Sequence, residues 1–466
     1  MSATNSYDCI VIGSGPGGYV AAIRAAQLGL KTACIEKESP GGICLNWGCI
    51  PTKALLKSAE VFQTMQHASS YGLNASGITA DFPAIIKRSR NVVDKMTGGV
   101  KFLLKKNKVD LIPGTASLEA GNFVVVKDSA GKATSYSYKN VIIATGARAK
   151  TLPSLPVDGE RVITYRHALA LNECPKKLLV VGAGAIGIEF AYFYSTFGAE
   201  VTVVEFQDQI LPIEDQDCAK GLEKIFKNQK IEIKTKTVVE SLTRKGNSVN
   251  ALLKSGDKVE QWSGDYCLVA VGVQGNVEDL GLEKIGIRPE KSFIKVDQYY
   301  RTGVPGVYAI GDVIGPPLLA HVASHEGIIA AEVIANHHTH PLDYTSIPGC
   351  TYCKPQVASI GMTEKAARDA GKNVRIGRFP FSASGKAVAS NETDGFVKVV
   401  VDADIDEVLG VHILHPEATE LIAEASVIRS LEGTATSVAN TIHAHPTLSE
   451  AMMEAMADAL GRAIHI

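Results

Sequence analysis

One segment of this chain occurs twice, and that repeat restricts the possible folds more than any other feature. From Asp8 an apolar run leads into Gly13, Gly15 and Gly18, then an apolar stretch passes Gly29 and ends on the acid Glu36. The same plan returns with Gly182, Gly184, Gly187, Gly198 and Glu205, every matched pair standing 169 positions apart. Each copy reads as a strand, a tight glycine turn, a helix and a second strand closed by a carboxylate. That order is the βαβ unit that cradles a dinucleotide. The first glycine permits the turn, the second lets backbone approach a pyrophosphate, and the third allows close helix–strand packing. The helix N-terminus faces the phosphates. The closing acid accepts hydrogen bonds from a ribose 2′-hydroxyl and repels a 2′-phosphate. Two copies imply two dinucleotides, and electron transfer between them is the expected use.

Strand-like runs ending in glycine follow the copies, at Val141–Gly146 and Cys267–Gly272, and a third, Val307–Gly311, places Asp312 just past its end. A carboxylate there is suited to a ribityl or ribose hydroxyl, or is simply a turn residue. After residue 346 the pattern changes. Alternating apolar positions at 356–362, 395–401 and 408–413 predict antiparallel strands, with helices over 417–431 and 448–463. The expected fold class is α/β: two Rossmann-like dinucleotide-binding domains plus a C-terminal α+β domain. Turn-rich stretches near 150, 275 and 345 divide the 466 residues into 1–150, 151–275, 276–345 and 346–466.

A chain of this length buries a large core without disulfides. Its 45% hydrophobic and 21% charged residues exclude disordered and fibrous classes. The net charge is −2 and no basic stretch is interleaved with aromatics, so neither nucleic acid nor an anionic membrane is an expected partner. No apolar run approaches the roughly 18 residues of a membrane span. The opening Met1-Ser-Ala-Thr-Asn-Ser-Tyr-Asp8 lacks both the basic start and the apolar core of a secretory signal, so a cytoplasmic chain is expected. In such a compartment structural disulfides are rare, and the nine cysteines direct attention to chemistry.

Two of those cysteines stand out. Cys44-Leu-Asn-Trp-Gly-Cys49-Ile-Pro-Thr-Lys53 lies just past Glu36 and runs into the helical pattern from Ala54. A regular helix holds residues five apart too far for a disulfide, so a bond requires a distorted turn, which Gly48 permits. A four-cysteine zinc site with Cys350 and Cys353 is the alternative. Cys350 and Cys353 also read as small apolar residues on a strand entering the last domain, and no metal is expected. Near the C-terminus, His443-Ala-His445-Pro-Thr447-Leu-Ser-Glu450 opens the last helix. Thr447 and Glu450 read as a capping box. A histidine held by a carboxylate is equally suited to deprotonate a thiol, and the thiolate is the nucleophile in disulfide exchange. His337, His338 and His340 read as a solvated connection.

The segment Gly41–Leu56, the two fingerprints, Ala144-Thr145-Gly146, Tyr308-Ala-Ile-Gly-Asp312 and the His443–Glu450 motif together resemble the flavoprotein disulfide reductases, over essentially the whole chain. That resemblance implies FAD and NAD as cofactors and a homodimer that reoxidises protein-bound dihydrolipoyl groups. Lipoyl domains of acyltransferase subunits or a glycine-cleavage H protein would be its partners. It further implies a redox disulfide between Cys44 and Cys49, with His445 as base and Glu450 as its orienter, acting on the cysteines of the other subunit. Residues 1–150 would bind FAD through Gly13, Gly15, Gly18, Glu36, Lys53, Thr145 and Gly146. Residues 151–275 would bind NAD through Gly182, Gly184, Gly187, Glu189, Glu205 and Gly272. Residues 276–345 would complete the FAD site with Asp312 and Ala320, and 346–466 would form the dimer interface. Lys53 and Glu189 are expected to meet near flavin and nicotinamide, against bland readings as a solvated helix lysine and a surface acid.

One stretch departs from the pattern. Many members carry two arginines and a proline after the glycine at 272, where this chain has Val273-Gln274-Gly275-Asn276. Trp47 and Thr52 are milder variations. An NADPH-using glutathione-type reductase would need basic residues after Glu205, but Phe206-Gln207-Asp208 follows. A mercuric reductase would carry a C-terminal cysteine pair, whereas the last cysteine is Cys353. A non-catalytic docking flavoprotein would have no need of Cys44, Cys49 and His445.

Overall fold

The computed structural model describes residues 5–466; of the opening Met1–Asp8, read as lacking a secretory signal, Met1–Thr4 lie outside the described residues. The chain forms two compact units, each assembled from separated stretches. One takes the chain up to Ala54, Ile86–Lys150 and Gly272–Leu342; the other takes Leu55–Ile85, Thr151–Val271 and Asp343–Ile466.

The first unit is built on β1 (Ser6–Ile12), α1 (Pro16–Gln27) and β2 (Thr32–Glu36). Strands Asp110–Pro113, β2, β1, Ala133–Ile143 and Val307–Ala309 lie side by side and parallel. Both faces are covered, as a parallel sheet requires. Ile10, Ile12, Ile35, Val141 and Ile143 enter one core, while Cys9, Val11, Cys34 and Ile142 enter the other beneath α1. Alternation of side chains along each strand produces that division. α1 begins at Pro16, which tolerates the first helical position because its missing N–H would be unpaired there. It crosses the helix Ala320–Ile334 closely enough that a β-carbon on Gly327 would lie 2.6 Å from the carbonyl of Gly17.

The second unit repeats the plan. Glu232–Lys234, Glu200–Val204, Lys177–Val181, Tyr266–Val269 and Val162–Ile163 form a parallel sheet in the same relative order. Its C-terminal part is an antiparallel five-stranded sheet, ordered Gly349–Thr351, Gln356–Gly361, Val408–His415, Phe396–Asp402 and Val374–Pro380. The three expected strands are there. The helices span Ala418–Ser430 and Glu450–Ala459, and Val374–Pro380, with Gly377 at its centre, carried too weak an alternation to be read. Among the buried groups, Lys398 lies 2.8–3.0 Å from carboxylates of Asp215, Asp217 and Glu364 and ties the helix Gln216–Asn228 to this sheet.

Gly377 is open to a simple test. A β-carbon there would fall on the carbonyl of Ala455 in the helix that starts at Glu450. Gly377→Ala is expected to lower stability by about 1–3 kcal/mol through overpacking. A urea midpoint unchanged within error would show that the helix yields freely.

Candidate active site

The glycines of the first fingerprint serve distinct purposes. Gly13 takes φ +100°, and a β-carbon on it would collide with the carbonyl of Ala144; one on Gly18 would collide with the carbonyl of Gly13. These two are required by the protein itself. Gly15 is not: no protein atom lies within 4 Å of where its β-carbon would stand. A bare backbone edge at the start of α1, with N–H groups pointing outward, is a cradle for an anion. Glu36 does not simply extend outward. Its Oε2 accepts from the Ser14 N–H at 2.9 Å and from Ser14 Oγ at 2.6 Å, and Oε1 accepts from the Glu38 N–H.

The cysteine segment lies against this turn. A β-carbon on Gly42 would stand 2.7 Å from Gly15 Cα, and the Gly41 N–H donates to Ser14 O. α2 (Gly42–Trp47) carries Cys44, Gly48 breaks it with φ −143° and ψ −115°, and α3 (Cys49–Gln66) opens on the second cysteine. That break is the distorted turn the spacing demands. Cys44 and Cys49 are joined by a disulfide with Cα atoms 4.7 Å apart. Thr52 returns its N–H and hydroxyl to Gly48 O, and Asn46 Nδ2 donates to Pro40 O and Gly42 O. Beside Cys44 an open cleft of about 340 Å³ is walled by Tyr19, Leu45, Ile50, Met96, Val100 and Leu103. Three of these belong to α4 (Phe82–Lys106), whose part in the site had no sequence signature beyond helical periodicity.

Asp312 sits in a short turn after Val307–Ala309. Burial and the nearby charge of Glu326 push its carboxyl up to about 6. Glu326, itself buried, accepts the Gly311 N–H at 2.6 Å and so fixes that turn. Sequence reasoning missed Glu326, which appears in the chain as one of two acids in a largely apolar helix. Ala320 is the first residue of that helix, Ala320–Ile334. Thr145 Oγ1 donates to Asn276 O, and Gly146, at φ +67°, accepts the Asn276 N–H. Lys53 lies half-buried on α3. The open edge at Gly15 and a half-buried carboxylate able to accept a hydrogen bond from a hydroxyl fit a dinucleotide with polyol groups.

The departing stretch forms a short strand, Val273–Gly275, antiparallel to Ala147–Ala149 in the same unit. A β-carbon on Gly275 would collide with Ser292 O, so proline has no room there. Arg148 spans the gap, pairing with both carboxylate oxygens of Glu278. Gly272 has φ +102° and accepts the Lys150 N–H.

In the second unit the glycine contacts recur. A β-carbon on Gly182 would meet Ala270 O, one on Gly187 would meet Gly182 O, and Gly184 is open. Glu205 is buried and accepts N–H groups from Ala183 at 2.7 Å and Gln207 at 3.0 Å. Glu189 is no surface acid: it is 5% exposed and accepts the Tyr352 N–H at 3.0 Å.

The C-terminal motif supplies two histidine–carboxylate pairs of opposite exposure. His443 Nε2 lies 2.7 Å from Glu424, with only 7% of its side chain exposed; His445 Nδ1 lies 2.9 Å from Glu450, with 78% exposed. Burial pulls His443 down, but Glu424 and Thr441 outweigh it and hold its pKa above the usual value. Burial raises Glu450, yet bonds from the Thr447 N–H and from His445 leave its pKa low. Only half of a capping box forms: Glu450 accepts the Thr447 N–H, while Thr447 Oγ1 turns to Ala444 O. The other carboxylate oxygen is thereby reserved for His445. His337, His338 and His340 are exposed, Cys350 is half-buried on its strand, and Cys353 is buried just past it. Among the described residues no cluster of three or more His, Cys, Asp or Glu could hold a metal ion, and no helix is long and apolar enough to cross a membrane.

Comparison with known proteins agrees with this geometry. The pyridine nucleotide-disulphide oxidoreductase family matches residues 7–327, and its dimerisation domain matches residues 347–456, so the chain carries the part that makes a homodimer. It is 52% identical to a dihydrolipoyl dehydrogenase of Zymomonas mobilis over 98% of this chain and 99% of the relative. It is 48% identical to one of Rhizobium etli over 99% of each. Among solved structures, LpdA from Mycobacterium tuberculosis superposes with a TM-score of 0.90 at 29% identity, covering 96% of this chain and 98% of that one. The HOCl-induced flavoprotein disulfide reductase RclA from Escherichia coli gives 0.86 at 26% identity, covering 97% and 99%. By its fingerprints, its cysteine pair and these matches, the chain belongs to the pyridine nucleotide-disulphide oxidoreductase family.

Proposed function

We propose that this chain is a dihydrolipoyl dehydrogenase that uses FAD and NAD, oxidising the dihydrolipoyl arms of carrier domains in a 2-oxoacid dehydrogenase or glycine-cleavage complex of the cytoplasm. The observation that carries this reading is the Cys44–Cys49 bond, set against the first dinucleotide turn and facing an apolar cleft. A lipoyl arm is a narrow apolar chain ending in two sulfurs, and a cleft walled by Tyr19, Met96 and Leu103 suits its shape.

The chain's own groups supply the sulfur chemistry. His445, held by Glu450, takes a proton from one substrate thiol, acting across the dimer on the cysteines of the other subunit. The thiolate attacks Cys44, the Cys44–Cys49 bond breaks, and Cys49 leaves as a thiolate. The second substrate sulfur then closes the lipoyl ring and expels Cys44, which keeps the second proton as a thiol. One substrate proton is left on His445 and the electron pair on the cysteines. FAD, when bound, supplies the two-electron relay from sulfur to nicotinamide. Gly13, Gly15, Gly18, Thr145, Gly146, Asp312 and Ala320 would hold it, with Glu36 ordering the turn. Gly182, Gly184, Gly187 and Gly272 would hold NAD, with Lys53 and Glu189 near the ring that receives the electrons.

The decisive measurement is anaerobic titration of the holoenzyme with dihydrolipoamide. The long-wavelength absorbance of a thiolate beside flavin is expected to rise and NAD⁺ to discharge it. Cys49→Ser is expected to abolish the band and to cut lipoamide turnover by about three orders of magnitude or more. A variant that kept turnover would sink the proposal. His445→Gln is expected to cost about 10²–10⁴-fold in kcat, the usual range for a general base, while flavin content stays constant. Glu205→Ala removes a buried anion that 2′-phosphate would have to approach. The ratio of kcat/KM for NAD over NADP is expected to fall about tenfold or more, at 1.4 kcal/mol per decade; an unchanged ratio would place cofactor choice elsewhere.

A further inference from the structure

α4 does more than wall the cleft. Arg90, on this helix, donates from Nη1 to Asn46 O at 2.8 Å, at the C-terminal end of α2, and its guanidinium lies over the Trp47 ring at 4.9 Å. Thr97, two turns on, donates to Asn46 Oδ1 at 3.2 Å. A cation at a helix C-terminus is favourable because carbonyl oxygens there are unpaired. Trp47 is fixed in turn by its Nε1–H, which donates to Glu38 at 3.1 Å. The segment bearing Cys44 is thus clamped from α4 through its last two residues.

The clamp leaves a charge unmatched. Nε and Nη2 of Arg90 are buried without a hydrogen-bond partner among the described residues. The opposing charge that acts on it comes from Asp94, one turn along the same helix, and burial works against its charged state. An arginine nevertheless remains protonated. A desolvated cation without a paired anion is costly, and any negative charge created nearby lowers that cost. Reduction of the cysteine pair creates one. A neutral disulfide takes two electrons and one proton from the dithiol, becoming one thiol at Cys44 and one thiolate at Cys49.

We infer that Arg90 is a positioning residue for the redox segment whose unmatched charge makes the Cys44–Cys49 pair easier to reduce. The inference rests on the dihydrolipoyl reading above. Arg90 touches no reacting atom; it acts through α2, holding the cysteines beside a field that favours the reduced state.

The test is an anaerobic equilibrium of the holoenzyme with lipoamide and dihydrolipoamide at set ratios, read by the thiolate–flavin absorbance. Arg90→Gln keeps a donor for Asn46 O and removes the charge. It is expected to require about a tenfold higher dihydrolipoamide ratio for half-reduction, about 30 mV for a two-electron couple. Arg90→Lys is expected to recover most of that shift, with urea midpoints of the two variants alike. Arg90→Gln titrating at the wild-type ratio would overturn the inference. So would Gln and Lys variants equally displaced, since geometry and not charge would then be responsible. A Gln variant that only sheds flavin, and titrates normally once reloaded, also overturns it by assigning Arg90 to cofactor binding. Should Arg90→Gln not fold, Trp47→Leu strips the cover from the guanidinium and is expected to shift the ratio in the same direction by a smaller factor; no shift counts against the inference. A wild-type protein that develops no band at any ratio sinks the dihydrolipoyl reading itself.

Discussion

The first unit depends on backbone touching backbone. Gly18 lies on Gly13, Gly13 on Ala144, and Gly42 on Gly15, each at a distance that no β-carbon permits. Because these contacts have no side chain between them, the end of β1, the start of α1 and the start of α2 share one small region. The disulfide two residues past Gly42 inherits its position from that crowding. A redox pair held by flexible side-chain packing would wander by the ångström that costs an electron-transfer site its geometry. Here the constraint is steric and therefore stiff. The helix Ala320–Ile334 joins the same arrangement through Gly17 and Gly327, which brings Ala320 and the Gly311–Asp312 turn to the side of the first fingerprint.

Charge is distributed around that steric frame in a consistent way. Glu36 and Glu205 each hold the residue after the first fingerprint glycine, Ser14 and Ala183, so the two repeats agree in hydrogen bonding as well as in sequence. This backbone role gives each acid a task in its turn, beside the ribose contact proposed for it. Glu326 does the same for Gly311 and raises Asp312 in doing so. Carboxylates thus order the turns on which the cofactors are proposed to rest, while a cation, Arg90, meets the cysteine segment at Asn46 and Trp47.

What could be read from the chain follows from how local each signal is. The repeats, the C-terminal strands and the break at Gly48 depend on residues within a few positions of one another, and all are found. The half-formed capping box was partly legible: Glu450 accepts the expected N–H, but Thr447 turns away, because the helix starts at Glu450 itself. Groups that act from a distant stretch were not legible. From α4, some fifty positions away, Met96 and Val100 wall the cleft beside Cys44 and Arg90 reaches Asn46 and Trp47, and one helix face of mixed residues does not announce what it covers. Glu326 is hidden for the same reason. The departure at Val273-Gln274-Gly275 was visible as a difference, but the carbonyl of Ser292, which leaves no room for a β-carbon at Gly275, was not.

The two histidine pairs carry the argument one step further. His443 and His445 are two residues apart, both facing a glutamate, yet one is sequestered and the other open. A sequestered imidazole whose pKa is raised by its carboxylate stabilises the fold below the usual histidine pKa and loses that contribution as pH rises through its own raised value. That is a structural task. An exposed imidazole oriented by a carboxylate, which in turn is fixed by the Thr447 N–H, contributes little to folding and has one ring nitrogen free to meet a reactant. The exposures along the motif fit the proposed proton transfer at His445 and leave His443 facing Glu424 inside the fold. The helix that packs closely on Gly377 begins at Glu450, so the carboxylate that meets His445 is carried by a firmly seated element.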